Sequence, residues 1–162
     1  MNSSDGPVGY RPNVGLVVFN AAGQVWLGHR FGMAGDYAWQ FPQGGVDDGE
    51  DLEAAARREL YEETGMRSVE ILGRTTDWIV YDFPPEVLAQ KKIGRNFKGQ
   101  KQIWFALRFT GADSEIDLQT HGEQEFSRWE WCDLNSVLSR VVHFKRGSYE
   151  QVIAQFAKYV QA

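Results

Sequence analysis

GGVDDGEDLEAAARRELYEETG, running from Gly44 to Gly65, is the stretch on which the fold turns. The Gly44-Gly45 pair reads as a tight turn, strong helix formers fill Asp51 to Thr64, and Gly65 closes the run, so a glycine loop followed by a helix is predicted. Within that helix Glu59 and Glu62 are three residues apart and Glu59 and Glu63 four apart. All three carboxylates therefore leave one side of successive turns and repel one another by a few tenths of a kcal/mol per pair. Clustered carboxylate oxygens suit a hard divalent cation, Mg²⁺ or Mn²⁺, which keeps several waters and commonly binds together with substrate phosphates. The alternative for an isolated Glu-x-x-Glu-Glu is a solvated acidic face, which is common on exposed helices.

Working outward from this stretch, the chain in front of it is β-like. Val14, Leu16, Val17, Val18 and Phe19 form an apolar run, Asn20-Ala21-Ala22-Gly23 turns it into a second run from Gln24 to Arg30, and Tyr37 to Phe41 makes a third short strand stopped by Pro42. Behind the helix, Val69 to Leu72, Asp77 to Phe83, Gln102 to Phe109 and Phe126 to Trp131 are further strands. Tyr149, Val152, Ile153, Phe156 and Val160 recur at helical spacing, so the chain is expected to end in an amphipathic helix. The 162 residues, 43% hydrophobic and 24% charged, support one core. A single domain over residues 9–162 is expected, behind a flexible start at residues 1–8 marked by Ser, Asp, Gly and Pro.

A net charge of -5 disfavours wholesale attachment to DNA, other polyanions or an acidic membrane. Neither a basic-then-apolar leader nor an 18-residue apolar stretch is present, and the lone Cys132 can form no internal disulfide or paired zinc site. A cytoplasmic protein is expected. One segment runs against the overall charge: Lys91, Lys92, Arg95, Lys98 and Lys101 follow one another without an intervening acid. Such a loop can steer a phosphate chain locally, or it can be a solubilising loop.

Gly44, five residues, Glu50, seven residues, then Arg58-Glu59-Leu60-x-Glu62-Glu63-x-Gly65-Met66 is the pattern of a Nudix box over residues 44–66, and on it the chain resembles the Nudix hydrolases. The resemblance implies an α+β fold of Nudix type, an α/β/α sandwich around a mixed sheet, and hydrolysis of a phosphoric anhydride within a nucleoside diphosphate linked to another group. It also implies that Glu59, Glu62 and Glu63 face the metal, with Glu63 or a neighbouring carboxylate acting on the water. Phosphoryl transfer needs charge neutralisation and in-line positioning of the nucleophile, which carboxylate-held divalent ions supply. Arg58 stays protonated and cannot be a base; it is expected to orient Glu50 or Glu62. Gly44 is expected to offer its carbonyl to the metal, where the plainer reading is a turn.

Beyond the box, Tyr10-Arg11-Pro12-Asn13-Val14-Gly15, Trp39-Gln40-Phe41-Pro42-Gln43, Gly99-Gln100-Lys101-Gln102, Glu125-Phe126 and Phe144-Lys145-Arg146 resemble the bacterial RNA 5′-pyrophosphohydrolases and their relatives that cleave diadenosine polyphosphates. By that resemblance Glu125 is a fourth metal ligand and a competing base; the plainer reading is a polar strand start. Arg11, Arg30, Tyr81, Gln100 and Lys101 are carried over as phosphate or nucleotide contacts. Phe144 and Lys145 couple an aromatic face to a cation, as a stacked base beside phosphates requires, the alternative for Phe144 being ordinary core. Ala38 and the longer Gly35-Asp36-Tyr37 loop depart from the pattern, which has a serine at that point. His29, His121 and His143 are far apart in sequence and are assigned no catalysis.

The expected activity is removal of pyrophosphate from 5′-triphosphorylated RNA, or of phosphate from diphosphorylated RNA, leaving a 5′-monophosphate that admits further decay. Hydrolysis of diadenosine tetraphosphate and other dinucleoside polyphosphates is the second reading. A catalytically silent nucleotide or RNA binding module is the third.

Overall fold

In the computed structural model, which describes residues 2–90, 97–120 and 122–161, the two central strands are β1 (Tyr10–Phe19) and β7 (Gly99–Phe109). They run parallel in unbroken register from Tyr10 opposite Gly99 to Phe19 opposite Arg108. Strands covered on both faces should be apolar almost throughout, and Val14 to Phe19 is the run that meets this demand. Around the pair lie β2 (Val25–Arg30), β3 (Trp39–Gln40), β4 (Gln43–Gly45), β5 (Val69–Arg74), β6 (Ile79–Asp82) and β8 (Phe126–Cys132), giving a mixed eight-stranded sheet. Its main path is β3-β2-β1-β7-β5, with β4 on β1, β6 on β7 and β8 on β2.

Alternation along β1 sorts its side chains to two layers. Val14, Leu16 and Val18 join Leu52, Ala55, Ala56 and Leu60 of α1 (Leu52–Thr64) on one face. Val17 and Phe19 join Tyr149, Val152, Ile153 and Phe156 of α3 (Arg146–Phe156) on the other. The result is an α/β/α sandwich of the α+β class. Asp51 caps α1 by accepting from the Ala54 amide at 3.0 Å, and Gly65, at φ 77°, ends it in the left-handed conformation by donating to the Tyr61 carbonyl.

Three local expectations change. The third strand is shorter than Tyr37 to Phe41, and the glycine turn holds a fourth strand, because beyond Pro42, whose carbonyl accepts from the Leu16 amide, the chain pairs with β1 from Gln43 to Gly45. The helical spacing out to Val160 contains a change of pitch: α3 ends at Phe156, and a 3₁₀ turn over Ala157–Gln161 brings Tyr159 onto Phe19 and Phe156. A short helix, α2 (Pro85–Gln90), was not read from the sequence. Ahead of β1, Gly6 lies against the Trp78 ring and the Asp5 carbonyl takes the Lys101 ammonium. No helix among the described residues is long and apolar enough to cross a membrane.

Candidate active site

One turn of α1 and one short strand build the acidic half of the site. Gly44 of β4 lies directly under Glu59; a Cβ on Gly44 would stand 1.9 Å from the Glu59 carboxyl carbon, so the close approach requires glycine. Arg58 grips Glu50 with two charge-assisted bonds, Nε at 2.7 Å and Nη2 at 2.9 Å, and reaches Glu59 at 2.9 Å, Glu62 at 3.4 Å and the Gly45 carbonyl at 3.0 Å. It thereby orients Glu50 and ties the acidic helix to β4, while its guanidinium holds Glu50 below the usual carboxylate range.

Glu63 is buried, and its Oε1 has no hydrogen-bond partner among the described residues. Burial pushes its carboxyl well above the ordinary value; the charges of Glu59 and Glu125 add to this, and the Gln43 backbone opposes it. Glu59 is raised as well, chiefly by burial, with Glu63 and Arg58 pulling against it. Arg58 alone does not balance the charge of so many carboxylates. Among the described residues no three acidic, His or Cys side chains already converge as a ready metal site, and Arg58 is the ion-pair partner of Glu59 and Glu62. A divalent cation nevertheless fits these residues: an orphaned buried carboxylate oxygen, mutually repelling glutamates and a glycine that lets backbone approach them are what a hard cation needs.

Beside this cluster opens a cavity of about 370 Å³ lined by Arg30, Gln43, Tyr81, Gln100, Phe144 and Lys145, among others. Phe144 is half-buried and tilted against Tyr81, with ring centroids 5.9 Å apart. Tyr81 donates to Gln100 Oε1 at 2.6 Å, and burial pushes its phenol up to about 12. Lys145 is buried, donates to Gln40 Oε1 at 3.1 Å, and is pushed down to about 7 by burial and by the Arg30 charge, against the pull of Glu125 and Glu63. Among the described residues no carboxylate forms an ion pair with Arg30 or Lys145. Arg11 approaches from β1, its Nη2 2.7 Å from where a Gly45 Cβ would be. A larger cavity, about 550 Å³, lies at the far end of the sheet near Asn20 and Asp113, away from every one of these groups.

β4 is the wall between the two halves: Gly44 faces Glu59, and Gln43 lines the cavity. The exposed Glu125 adds charge near both Glu63 and Lys145, and its carbonyl accepts from the Phe31 amide at 2.8 Å. Lys101 is not brought to the cavity. Strand alternation sends it to the α1 face with Ile103 and Phe105, where its ammonium lies over Trp78, while Gln100 and Gln102 take the cavity face. Lys98 sits over the Tyr10 ring, and Lys91, Lys92, Arg95 and His121 lie outside the described residues. His29 packs on Trp39 and His143 on Phe144, neither in the acidic cluster.

Sequence reasoning missed an amide chain. Gln102 donates to Asn13 at 2.8 Å and to Gln43 at 3.3 Å, and Gln43 in turn reaches Gln100. Buried amides persist where each is satisfied, and this chain fixes the cavity wall behind Tyr81. Gln100 and Gln102, two apart on one strand and so on one face of it, were the available signal.

A NUDIX domain model matches residues 9–153, nearly the whole of the folded chain. The chain belongs to the Nudix family. A Nudix relative from Caulobacter vibrioides, named RNA pyrophosphohydrolase, is 58% identical over 152 residues, covering 94% of this chain and 88% of the relative. The Nudix fold is shared with the E. coli dihydroneopterin triphosphate pyrophosphohydrolase, at TM-score 0.65 and 18% identity over 90% of this chain and 98% of that one. A C. elegans Ap4A hydrolase complex matches at TM-score 0.64 and 20% identity over 92% and 98%. Nudix membership makes the protein a hydrolase of phosphoric anhydrides, a chemistry for which the family generally uses divalent cations.

One substitution tests the electrostatics of the Nudix helix. Glu59→Gln removes the charge that Glu63 feels most strongly after burial, so the metal-free protein should melt roughly 2–4 °C higher while half-saturation by Mg²⁺ moves up at least ~10-fold. Thermal scans and metal titrations of activity measure both, and an unchanged titration would remove Glu59 from the ligand set.

Proposed function

We propose that the protein is an RNA pyrophosphohydrolase that removes pyrophosphate from 5′-triphosphorylated RNA, or phosphate from diphosphorylated RNA, leaving a 5′-monophosphate in the cytoplasm. The observation that carries this is the adjacency of the acidic cluster to a cavity holding Arg30, Lys145, Phe144 and Tyr81, phosphate and base contacts beside a hydrolytic centre. The name and identity of the Caulobacter relative support the same reading.

Glu59, Glu62, Glu63, Glu125 and the Gly44 carbonyl would hold Mg²⁺, or Mn²⁺ in its place. When bound, the cation neutralises phosphate charge and lowers the pKa of a coordinated water. Arg58 keeps Glu59 aimed at the cluster from the Glu50 side. Glu63, poorly solvated and with a free oxygen, is the carboxylate best placed to take a proton from the attacking water. Arg30, Arg11 and Lys145 bind the phosphate chain, Phe144 stacks on a base, and Tyr81 with Gln100 sets the cavity wall. The acidic cluster, with its orphaned carboxylate oxygen, counts against a silent binding module.

Offering 5′-triphosphate RNA, 5′-diphosphate RNA and diadenosine tetraphosphate at equal concentration, with Mg²⁺ and with Mn²⁺, tests the proposal. A kcat/KM for an RNA end well above that for the dinucleotide is expected, and the reverse order would make the protein a dinucleoside polyphosphate hydrolase.

The cavity residues should fail in different ways. Lys145→Ala should raise KM for RNA about 10-fold at pH 6, the loss of a charge-assisted phosphate contact. The defect should shrink by pH 8, because the wild-type amine, with a pKa near 7, has by then given up its proton. Phe144→Ala should lose about 5-fold or more in affinity without changing the salt dependence of KM. A sharp fall in melting temperature with equal damage to every substrate would instead make Phe144 core.

A further inference from the structure

A second cavity, about 430 Å³, is lined by Tyr37, Val141, Val142, His143 and Arg146. It shares Val142 with the cavity at Phe144 and Lys145, so the two are neighbours along one surface. None of its lining residues is acidic, and none is hydrogen-bonded to the acidic cluster among the described residues. Tyr37 is 65% exposed, an aromatic ring left in solvent on the same loop as Phe31 and Met33, which are 56% and 46% exposed. Apolar exposure gathered on one loop marks a contact surface.

That loop is tied to the active site. The Arg30 amide donates to Ala38, the Phe31 amide to Glu125, and a ring nitrogen of the buried His29 is 3.3 Å from the Gly35 carbonyl. Positive φ at Gly32 and Gly35 lets the chain turn tightly between these anchors. Tyr37 is therefore presented at a set place beside the first cavity. Arg146, which lines the same cavity, is steadied by donating from Nη1 to the Leu138 carbonyl at 2.9 Å.

We infer that this second cavity is a downstream nucleotide subsite, in which Tyr37 stacks on a base of the RNA body and Arg146 meets its phosphate. An exposed aromatic face beside a guanidinium is the chemistry that holds single strands with little sequence preference. The inference rests on the proposed function and sharpens it. With the phosphates at the glutamates and a nucleoside at Phe144, an RNA chain that continues past the shared Val142 brings its next nucleotide to this cavity. A dinucleoside polyphosphate carries no nucleotide on the 3′ oxygen of that nucleoside, its second nucleoside being joined instead at the other end of the phosphate chain.

The test compares wild type, Tyr37→Ala and Tyr37→Phe on 5′-triphosphorylated RNAs of one to five nucleotides and on diadenosine tetraphosphate. Wild-type KM should fall when the chain becomes long enough to reach Tyr37. Tyr37→Ala should erase that fall, raising KM for the longer RNAs about 5-fold or more, the lower end of what a stacked base contributes, with kcat unchanged. Tyr37→Phe should restore it, and diadenosine tetraphosphate should be cleaved within two-fold of wild type. An intact length dependence in Tyr37→Ala, or an equal loss on the dinucleotide, overturns the subsite. Should wild type cleave no RNA of any length, the proposed function itself fails. Anisotropy of a 3′-labelled, 5′-monophosphorylated pentanucleotide then still decides the subsite: weaker binding by Tyr37→Ala supports it, and equal binding overturns it.

Discussion

Glu63→Gln is expected to lower kcat on 5′-triphosphorylated RNA by ~10²-fold or more while leaving the metal-free protein at least as stable as wild type. The substitution keeps shape and volume, so packing around this buried position is preserved, whereas the charge that the proposed cation binding and proton acceptance call for is gone. Stability should respond in the opposite sense to activity. Burial and the neighbouring glutamates raise the carboxyl of Glu63 in the folded state above its ordinary 4.5, so the fold binds a proton that the unfolded chain releases. Stability from this group is complete below pH 4.5 and is lost as pH rises through the folded value. Metal-free wild type should therefore weaken as pH climbs out of the carboxylate range, and Glu63→Gln should lack that component of the slope. Denaturant titrations between pH 4 and pH 8 with chelator present measure it. Near-wild-type turnover in Glu63→Gln would move the base to Glu125 or Glu59.

Much of this centre is local in the chain and was open to reading. Glu59, Glu62 and Glu63 fall on one side of one helix by spacing alone, and Gly65 marks its end without reference to any other element. The apolar run from Val14 to Phe19 announced a strand, and its central place in the sheet, with both faces covered, came only with the fold. Long-range pairing was less legible. Lys101 and Gln100 are adjacent and both matched the family pattern, yet the pleat sends one to Trp78 and the other to Tyr81, and parity relative to a buried neighbour is known only once β7 is registered on β1. Likewise β4 has three residues, too few for an alternating pattern; its strand character comes from β1, whose amides and carbonyls it satisfies. Lys145 carried a legible charge, but its burial against Gln40 comes from the fold.

Gly44→Ala is expected to reduce kcat/KM by ~10²-fold with little change in melting temperature, which isolates the role of that glycine in positioning Glu59. Gly44 does not adopt a left-handed conformation, so alanine meets no backbone penalty there. The clash is with Glu59 alone: its carboxyl carbon lies 1.9 Å and its Oε2 2.0 Å from the added methyl. Glu59 must swing away, and in doing so it leaves Arg58 Nη1, its partner at 2.9 Å. Gly45→Ala provides the contrast, because there the methyl meets the mobile end of Arg11 at 2.7 Å, and the expected damage is a raised KM with kcat largely kept. A double-mutant cycle completes the argument. If Gly44→Ala acts through Glu59, the pair Gly44→Ala with Glu59→Ala should be no slower than Glu59→Ala alone, since the side chain that clashes is already gone. Full additivity of the two losses would mean that the added methyl acts by another route than Glu59, by displacing the β4 backbone at residue 44.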